Sequence, residues 1–589
     1  MTAPMPTESV LIDAPELPTE LKSQQRTRND VLKARGALLA LAAALGVWTR
    51  GYYLGDTTVY VTQIIPSFHK LPAANLWECG HLLWRPLGWG MLELFGPLLQ
   101  ALTGWSISQA ASALLVTLSL GAAAASVLLW HSTLLRLTGS GRVAFGVAAA
   151  FACSNAVLSY SHAGASYVPG IFFVSLALWL LVRGRSEGGP KAEAVAGSAA
   201  ATAIATLLWL PYVLAVPALA VAALTGPGVW GNAGVRMRRM RLFVAIFVLL
   251  TGGAYLAGAH FAHVDTPEKL LDWVKTAGHG WSQDHRLIRL GTGLPRSFLF
   301  LGEDGVQYRR FWHKDPYAPV SAVDLALASL WKIAAFFLFL YWLIRGLMKC
   351  PQPWPKVWLA VAAAPVLVFA VFVFEPGSPE RYLPAYPFLI VAVGWVLRES
   401  GAAGRGRRAA IWMFLAAMAA TNVYSMFGPR IAREDSAALS RIDQLLQKAD
   451  RRDLVAVLNN HDSLSLTLNR ALFCSANRPA PMRLYDIVEV STKRAELWRQ
   501  QFAEEALEAW EAGRAVWVSK RLWSRAPDPS WEWVEGDDAT LRWKDLPDFF
   551  TKLTTDGDSG ERDGFLRVGR SPKNVAALKA LTSAAVTSE

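Results

Sequence analysis

Charge is scarce in this chain. Asp, Glu, Lys and Arg make up 18% of its 589 residues, and hydrophobic residues 53%. Soluble domains usually carry about 25% charged residues. With a mean hydropathy of +0.26, a mainly disordered chain and a single soluble enzyme domain are both excluded. Cysteine is scarce too. Cys79, Cys153, Cys350 and Cys474 form no CxxC pair, so neither a zinc ribbon nor a thioredoxin-type motif is signalled. Cys79 and Cys474 can pair only if both face an oxidising compartment. There is no Walker A motif, no GxSxG, no HExxH and no GxGxxG before a soluble helix. Nothing therefore points to an ATP-driven pump or a membrane metalloprotease. No short-period repeat is present, and Met1–Asn29 lacks a cleavable secretory pattern.

What the chain has is apolar runs. A helix needs about 20 residues to cross hydrocarbon, and we count about eleven candidate spans. They are Ala37–Tyr53, Ile107–Leu135, Val143–Ser159, Val168–Leu181, two short crossings within Ala194–Leu224, Leu242–Ala262, Leu325–Ile344, Val357–Phe374, Tyr382–Leu397 and Ala409–Met426. The split of Ala194–Leu224 is placed near Trp209–Tyr212, where Pro211 interrupts the helix. The formal charge of +12 is concentrated in short loops, such as Arg236, Arg238, Arg239 and Arg241. That pattern marks cytoplasmic loops rather than a nucleic-acid surface. It predicts a cytoplasmic N-terminus and two long outer loops, 54–103 and 263–320. Loop 54–103 is too polar for a lipid-facing span and too apolar for an ordinary loop, so helices lying on the membrane surface are expected there. The 25 tryptophans suit the membrane–water boundary.

Three regions follow. Residues 1–32 read as a disordered cytoplasmic tail and 33–428 as an all-α polytopic membrane bundle. Residues 429–589 read as a small soluble α/β domain on the outer side. In that tail Leu454–Leu458 and Ala515–Ser519 read as buried strands, and Arg494–Gly513 as an amphipathic helix. The last twenty or so residues read as loosely ordered.

Ionisable groups at or beside membrane depth are costly, and are functional candidates for that reason. Three clusters qualify. Asp56 ends Arg50-Gly-Tyr-Tyr-Leu-Gly-Asp56, at the outer end of the first span. Its carboxylate can act as a general base, hold a divalent metal, or simply cap the next helix. Glu78, His81 and Arg85, spaced i, i+3, i+7, share one face if the segment is a helix. That face can line a polar cavity or merely meet water. Glu380, Arg381 and Tyr382 stand between two apolar spans, where Arg381 can grip a phosphate, snorkel to headgroups or pair with Glu380. The second outer loop adds His279, His285, Arg286, Glu303, Asp304 and Tyr308–His313, which carry less weight.

Taken together, Tyr53-Leu-Gly-Asp56, His81-Leu-Leu-Trp-Arg-Pro86 and Glu380-Arg-Tyr-Leu-Pro-Ala-Tyr-Pro387 resemble the GT-C superfamily of integral membrane glycosyltransferases. The resemblance covers about Leu38–Pro429. It is strongest to bacterial relatives of protein O-mannosyltransferases and of the aminoarabinose transferase. It departs in one place: many of those enzymes carry an Asp-Glu pair, whereas Thr57 follows Asp56 here. The resemblance implies a polyprenyl-phosphate-sugar donor and an acceptor (protein, lipid or polysaccharide) at the outer face of a bacterial inner membrane. Asp56 would be the base in an inverting transfer. Arg381 would steady the leaving phosphate, and Glu78, His81, Arg85, Glu380 and Tyr382 would shape the same cavity. A magnesium or manganese ion is a candidate cofactor. Two rivals remain: a lipid-sugar flippase, which should place charges near the bilayer midplane, and a non-catalytic membrane assembly factor.

Overall fold

The structure is a computed structural model. It describes residues 19–49, 55–65, 76–104, 107–186, 189–225, 233–275, 277, 286–301, 311, 320–374, 376–399, 404–427, 453–457, 483–486, 498–523, 545–556, 561–562 and 565–586. The described part of the membrane-type region is mainly helical. In chain order it comprises α1 (Thr19–Trp48), α2 (Gly55–Ile64), α3 (Trp84–Thr103), α4 (Ile107–Thr138), α5 (Gly141–Ala152), α6 (Asn155–Ser161), α7 (Tyr167–Arg183) and α8 (Ala192–Leu208). Then follow α9 (Val216–Leu224), α10 (Ala233–Phe261), α11 (Pro267–Lys275), α12 (Arg286–Phe298), α13 (Ala322–Lys349), α14 (Trp354–Phe372), α15 (Tyr386–Glu399) and α16 (Arg405–Met426). Three 3-10 turns, Cys79–His81, Leu210–Ala215 and Pro379–Ala385, interrupt them.

Every expected span has helix in it. Six helices, α1, α4, α10, α13, α14 and α16, contain stretches long and apolar enough to cross a membrane unaided. The expected third span is instead two helices, α5 and α6, bent by 60°. α7, α8 and α15 are shorter than a full crossing, and 3-10 turns lead into α9 and α15. The break within Ala194–Leu224 falls at Trp209, as the prolines indicated. α3 lies in loop 54–103, where surface helices were expected, and α11 in loop 263–320. α3 exposes Leu94, Leu98 and Leu102, and α11 exposes Leu270, Leu271 and Val274.

Three segments differ from the sequence reading. Helix α1 begins at Thr19, inside the stretch read as disordered tail, because Glu20-Leu-Lys22 and the residues after it favour helix. Glu78 to Arg85 is not one helix. A continuous helix would set the Pro86 ring against the Leu82 carbonyl, so the chain makes a 3-10 turn and starts α3 at Trp84. The C-terminal residues are helical as well, as described next.

In the tail, β3 (Leu454–Val457), β4 (Arg483–Asp486), β5 (Val516–Ser519), β6 (Glu561–Arg562) and β7 (Phe565–Val568) form one sheet in the order β4-β3-β5-β7-β6. A short β1–β2 hairpin (Arg185–Ser186 and Gly189–Pro190) precedes α8. β3 pairs parallel with β4 and β5, and β7 runs antiparallel to β5. Helix α17 (Trp498–Glu511) packs Phe502, Ala506 and Trp510 onto Leu454, Val516 and Val518. α18 (Asp545–Phe550) adds Phe550 to that core. α19 (Pro572–Val586) closes it with Val575, Leu578 and Leu581, one helical stripe. Tertiary burial of that stripe holds a segment that composition alone reads as frayed.

Two residues fix the membrane core beside the site. Asn422, fully buried on α16, accepts from Phe300 N at 2.8 Å and donates to Cys153 O at 2.8 Å and Phe298 O at 2.6 Å. It thereby satisfies backbone groups left open at the α5–α6 bend and at the end of α12. Gly293 on α12 lies against Pro376–Gly377. An added Cβ would overlap the Pro376 carbonyl oxygen and come within 2.7 Å of Gly377 Cα. Replacing Asn422 with Ala should cost about 1–3 kcal/mol, read as a lower denaturation midpoint in detergent micelles. Gly293→Ala should also destabilise. Gly291→Ala has open space around it and should be neutral or stabilising by about 0.5–1 kcal/mol.

Candidate functional site

The site begins with a proline. Pro211 has no N–H, so the carbonyl of Leu207, four residues earlier, loses its intrahelical donor. Leu83 N–H donates to it instead, at 2.9 Å. The next carbonyl, Leu208, lies 3.2 Å from His81 Nδ1. A carbonyl can only accept, so this contact is a hydrogen bond in the tautomer with the proton on Nδ1, which also meets Ser166 Oγ at 2.8 Å. The end of α8 thus holds the 79–83 turn in place.

Glu78 and Arg85 meet across that turn. Arg85 Nη2 lies 2.5 Å from Glu78 Oε2, and both side chains are at least 90% buried. Burial pulls the Arg85 guanidinium below its ordinary pKa, and Glu78 opposes that shift. Burial, with Glu78 beside it, pushes the Cys79 thiol up to about 11. Cys79 is a buried free thiol, and Cys474 lies outside the described residues. From outside, Tyr255 donates to Cys79 O at 3.0 Å and Trp273 to Trp77 O at 2.6 Å.

Helix α2 docks on the same place. Thr57 Oγ1 accepts from Gly164 N at 2.8 Å, and Trp84 Nε1 donates to Gly164 O at 3.1 Å. Both polar groups of one buried peptide segment are therefore satisfied. The closeness needs glycine, since a Cβ at 164 would sit 2.8 Å from Leu115 Cβ. Tyr60 meets His81 edge-on, with ring centroids 5.3 Å apart, and Trp84 at 6.4 Å. Asp56 stands in the first turn of α2, between Gly55 and Thr57 and one turn before Tyr60. Its side chain lies outside the described residues, as do Glu375, His279, His285, Glu303, Asp304, Tyr308–Arg310, Trp312 and His313.

The third cluster is a 3-10 turn, Pro379–Ala385, whose first six residues are buried. Arg381 is held between rings, its guanidinium carbon 3.9 Å from the centroid of Phe374 and 5.6 Å from that of Trp209. Arg381 Nε lies 3.4 Å from Glu380 Oε1, an ion pair without a hydrogen bond. No described residue accepts a hydrogen bond from this guanidinium. The other oxygen of Glu380 accepts from the Tyr160 hydroxyl. Tyr382 Oη donates to Pro376 O at 2.5 Å, which ties the turn to the residues just before it, and Glu380 and Arg381 are both buried.

The second and third clusters adjoin. Tyr167 touches Tyr160, Trp209 and His81, with centroids 4.9, 4.8 and 6.3 Å away. Trp209 touches Arg381. One aromatic partition therefore separates the Glu78–His81–Arg85 group from the Glu380–Arg381 pair, and Tyr167 and Trp209 were not among the sequence candidates. Neither were Tyr160, Ser166 and Phe374. The signal available for Tyr160 was the polar run Ser159-Tyr-Ser-His162 inside an apolar span. Among the described residues, no three His, Cys, Asp or Glu side chains converge as metal ligands.

No family model and no curated protein matches the chain. Solved structures do. The chain is similar to ArnT from Cupriavidus metallidurans bound to undecaprenyl phosphate, with 12% identity and a TM-score of 0.53, over 93% of this chain and 98% of that one. It is similar to ArnT of the same organism in the apo state, with 12% identity and a TM-score of 0.51, over 95% of this chain and 99% of that one. ArnT is an aminoarabinose transferase of the GT-C type. The likeness is one of fold, and it extends over nearly the whole of both chains. The protein is a multi-pass membrane protein with a GT-C-like fold and a small sheet-containing region near its C-terminus.

Proposed function

We propose that this protein is a membrane glycosyltransferase, moving a sugar from a polyprenyl-phosphate carrier to an acceptor at the outer face of a bacterial inner membrane. The observation that carries this reading is Arg381. A buried guanidinium stacked on two rings, with no hydrogen-bond acceptor among the described residues, suits an oxyanion that arrives with a ligand. The lipid phosphate of such a donor is that oxyanion. ArnT, of similar fold, was crystallised with undecaprenyl phosphate, which supports the choice of carrier. The acidic head of α2, the partly basic turn at Glu78–Arg85 and the anion site at Arg381 match the parts such a transfer needs.

In this mechanism the acceptor's hydroxyl or amine gives its proton to the Asp56 carboxylate. Its lone pair forms a bond to the anomeric carbon of the sugar, from the face opposite the phosphate. The bond from that carbon to the phosphate oxygen breaks, and the electron pair leaves on the phosphate. Arg381 stabilises that growing charge, and the low dielectric around it strengthens the effect. The configuration at the anomeric carbon inverts. His81 and the Glu78–Arg85 pair line the acceptor side of the aromatic partition, and Tyr382 keeps the Glu380–Arg381 turn folded. Residues 429–589 would face the same side as the acceptor, with the N-terminus cytoplasmic.

A magnesium or manganese ion at Asp56 is not required by any step above. Of the buried carboxylates near the partition, Glu78 pairs with Arg85, and Glu380 is shared by Tyr160 and Arg381. Among the described residues, that donor set does not fit a divalent ion. The flippase alternative has less support, because the charged groups gather with the 3-10 turns rather than in two repeated halves.

Three variants test the reading, using purified protein in micelles with radiolabelled polyprenyl-phosphate sugars. Asp56→Asn should reduce turnover at least about hundredfold, with expression and gel-filtration profile unchanged. Wild-type turnover in that variant would remove Asp56 as base. Arg381→Gln should weaken donor use about 10–100-fold, and Arg381→Lys should not restore it, because an ammonium cannot form the planar fork. An assembly factor would tolerate all three changes.

A further inference from the structure

Glu380 poses a problem for any anion arriving at Arg381. It is a carboxylate adjacent in sequence to the guanidinium, buried with it, and able to pair with it bidentately. Bidentate Arg–carboxylate pairs are among the strongest polar contacts in proteins, and such a pair would occupy the same fork that a phosphate needs. The bidentate pair is not formed. Glu380 Oε1 stands 3.4 Å from Nε, with no hydrogen bond to any guanidinium nitrogen.

The reason lies on α6. Tyr160, 3% exposed, donates its hydroxyl to Glu380 Oε2. Its ring is fixed edge-on against Tyr167 at 4.9 Å. The helix is fixed in turn: Asn155 Nδ2 donates to Arg296 O at 2.7 Å, and Ser159 Oγ to Asn155 Oδ1 at 3.1 Å. All seven residues of α6 are buried. The tyrosine therefore has little freedom to follow the carboxylate, and the carboxylate has little freedom to leave the tyrosine.

We propose that Tyr160 is a positioning residue for the anion site. By holding one oxygen of Glu380, it keeps that carboxylate from closing on Arg381, so that the terminal nitrogens of the guanidinium stay available to a phosphate ester. This inference rests on the reading of Arg381 as the donor-phosphate site. Without the phenolic hydroxyl, Glu380 Oε2 would lose its donor in a buried setting. It would satisfy itself on the nearest cation, and the incoming phosphate would then have to displace it.

The test measures binding of undecaprenyl phosphate to the purified full-length protein, and the KM and kcat for a polyprenyl-phosphate sugar. Tyr160→Phe should weaken binding and raise KM about tenfold, the scale of one charge-assisted hydrogen bond, while kcat changes less than about twofold. In the Tyr160→Phe background, Glu380→Gln should restore binding to within about threefold of wild type, because a neutral amide competes poorly for Arg381. A purely structural tyrosine would not be rescued in this way. Unchanged binding in Tyr160→Phe, or a double variant as weak as the single, overturns the proposal. If Tyr160→Phe does not fold, Tyr160→Gln, which keeps a donor for Glu380, should bind within about threefold of wild type, and a tenfold loss there overturns it. Should the wild-type protein itself fail to bind undecaprenyl phosphate, the assignment of Arg381 fails first, and the role of Tyr160 toward a phosphate falls with it.

Discussion

A buried guanidinium that no described residue satisfies with a hydrogen bond is the constraint around which the rest is arranged. Removing a cation from water is expensive, and a lone arginine in a helical bundle would ordinarily be expelled to the boundary or fully paired. Here Arg381 is retained by the faces of Phe374 and Trp209 and by a carboxylate that approaches without closing. Each of those partners must in turn be held. Trp209 sits at the break after α8, Glu380 is tied to Tyr160, and the turn carrying both Glu380 and Arg381 is fastened through Tyr382 and through Ser297, whose Oγ donates to Pro379 O at 2.8 Å.

The breaks in the helices are what make such a centre possible. Irregular backbone at membrane depth is tolerated only where protein or a water-filled cavity surrounds it. Three 3-10 turns from distant parts of the chain, 79–81, 210–215 and 379–385, come together here, with the middle one touching both others. Each supplies what another lacks. Pro211 frees the Leu207 carbonyl, and the amide of Leu83, at the start of α3, takes it. The same region is short of long spans: α7, α8 and α15 surround the turns and are each shorter than a full crossing. Helices that stop early leave their ends, and the side chains near them, directed into a shared interior rather than into lipid.

Much of this was legible in the sequence, and the reasons differ by element. Long spans declare themselves through hydropathy, and the proline at 211 marked the divided region because a missing N–H has local consequences. The Glu380-Arg381-Tyr382 turn stood out because charge between two apolar runs is costly wherever it occurs. The 78–85 segment misled, since i, i+3, i+7 spacing assumes a continuous helix and Pro86 prevents one. Tyr160, Tyr167 and Trp209 could not be found by periodicity. An aromatic in an apolar span looks like any other core residue until the partner from another helix is in view. The C-terminal helix was missed for a related reason: Val575, Leu578 and Leu581 are too few to hold a helix alone, and only the face of α17 makes them a stripe.

The aromatic partition has a further consequence for how the two halves of the site communicate. Tyr167 touches Tyr160 on one side and His81 on the other, and its carbonyl accepts from the Tyr212 hydroxyl. Ser166, one residue before it, binds His81. Gly164, two residues before that, is clasped by Thr57 and Trp84. A stretch of four residues at the head of α7 therefore contacts all three sequence clusters: the start of α2, the 78–85 turn and, through Tyr160, the Glu380–Arg381 pair. Packed interiors transmit displacement because they have few voids to absorb it. A shift of this stretch toward any one cluster must be felt by the other two. Three clusters far apart along the chain can stay in register only if some rigid element sets their spacing, and the stretch at the head of α7 reaches all three, the last through Tyr160.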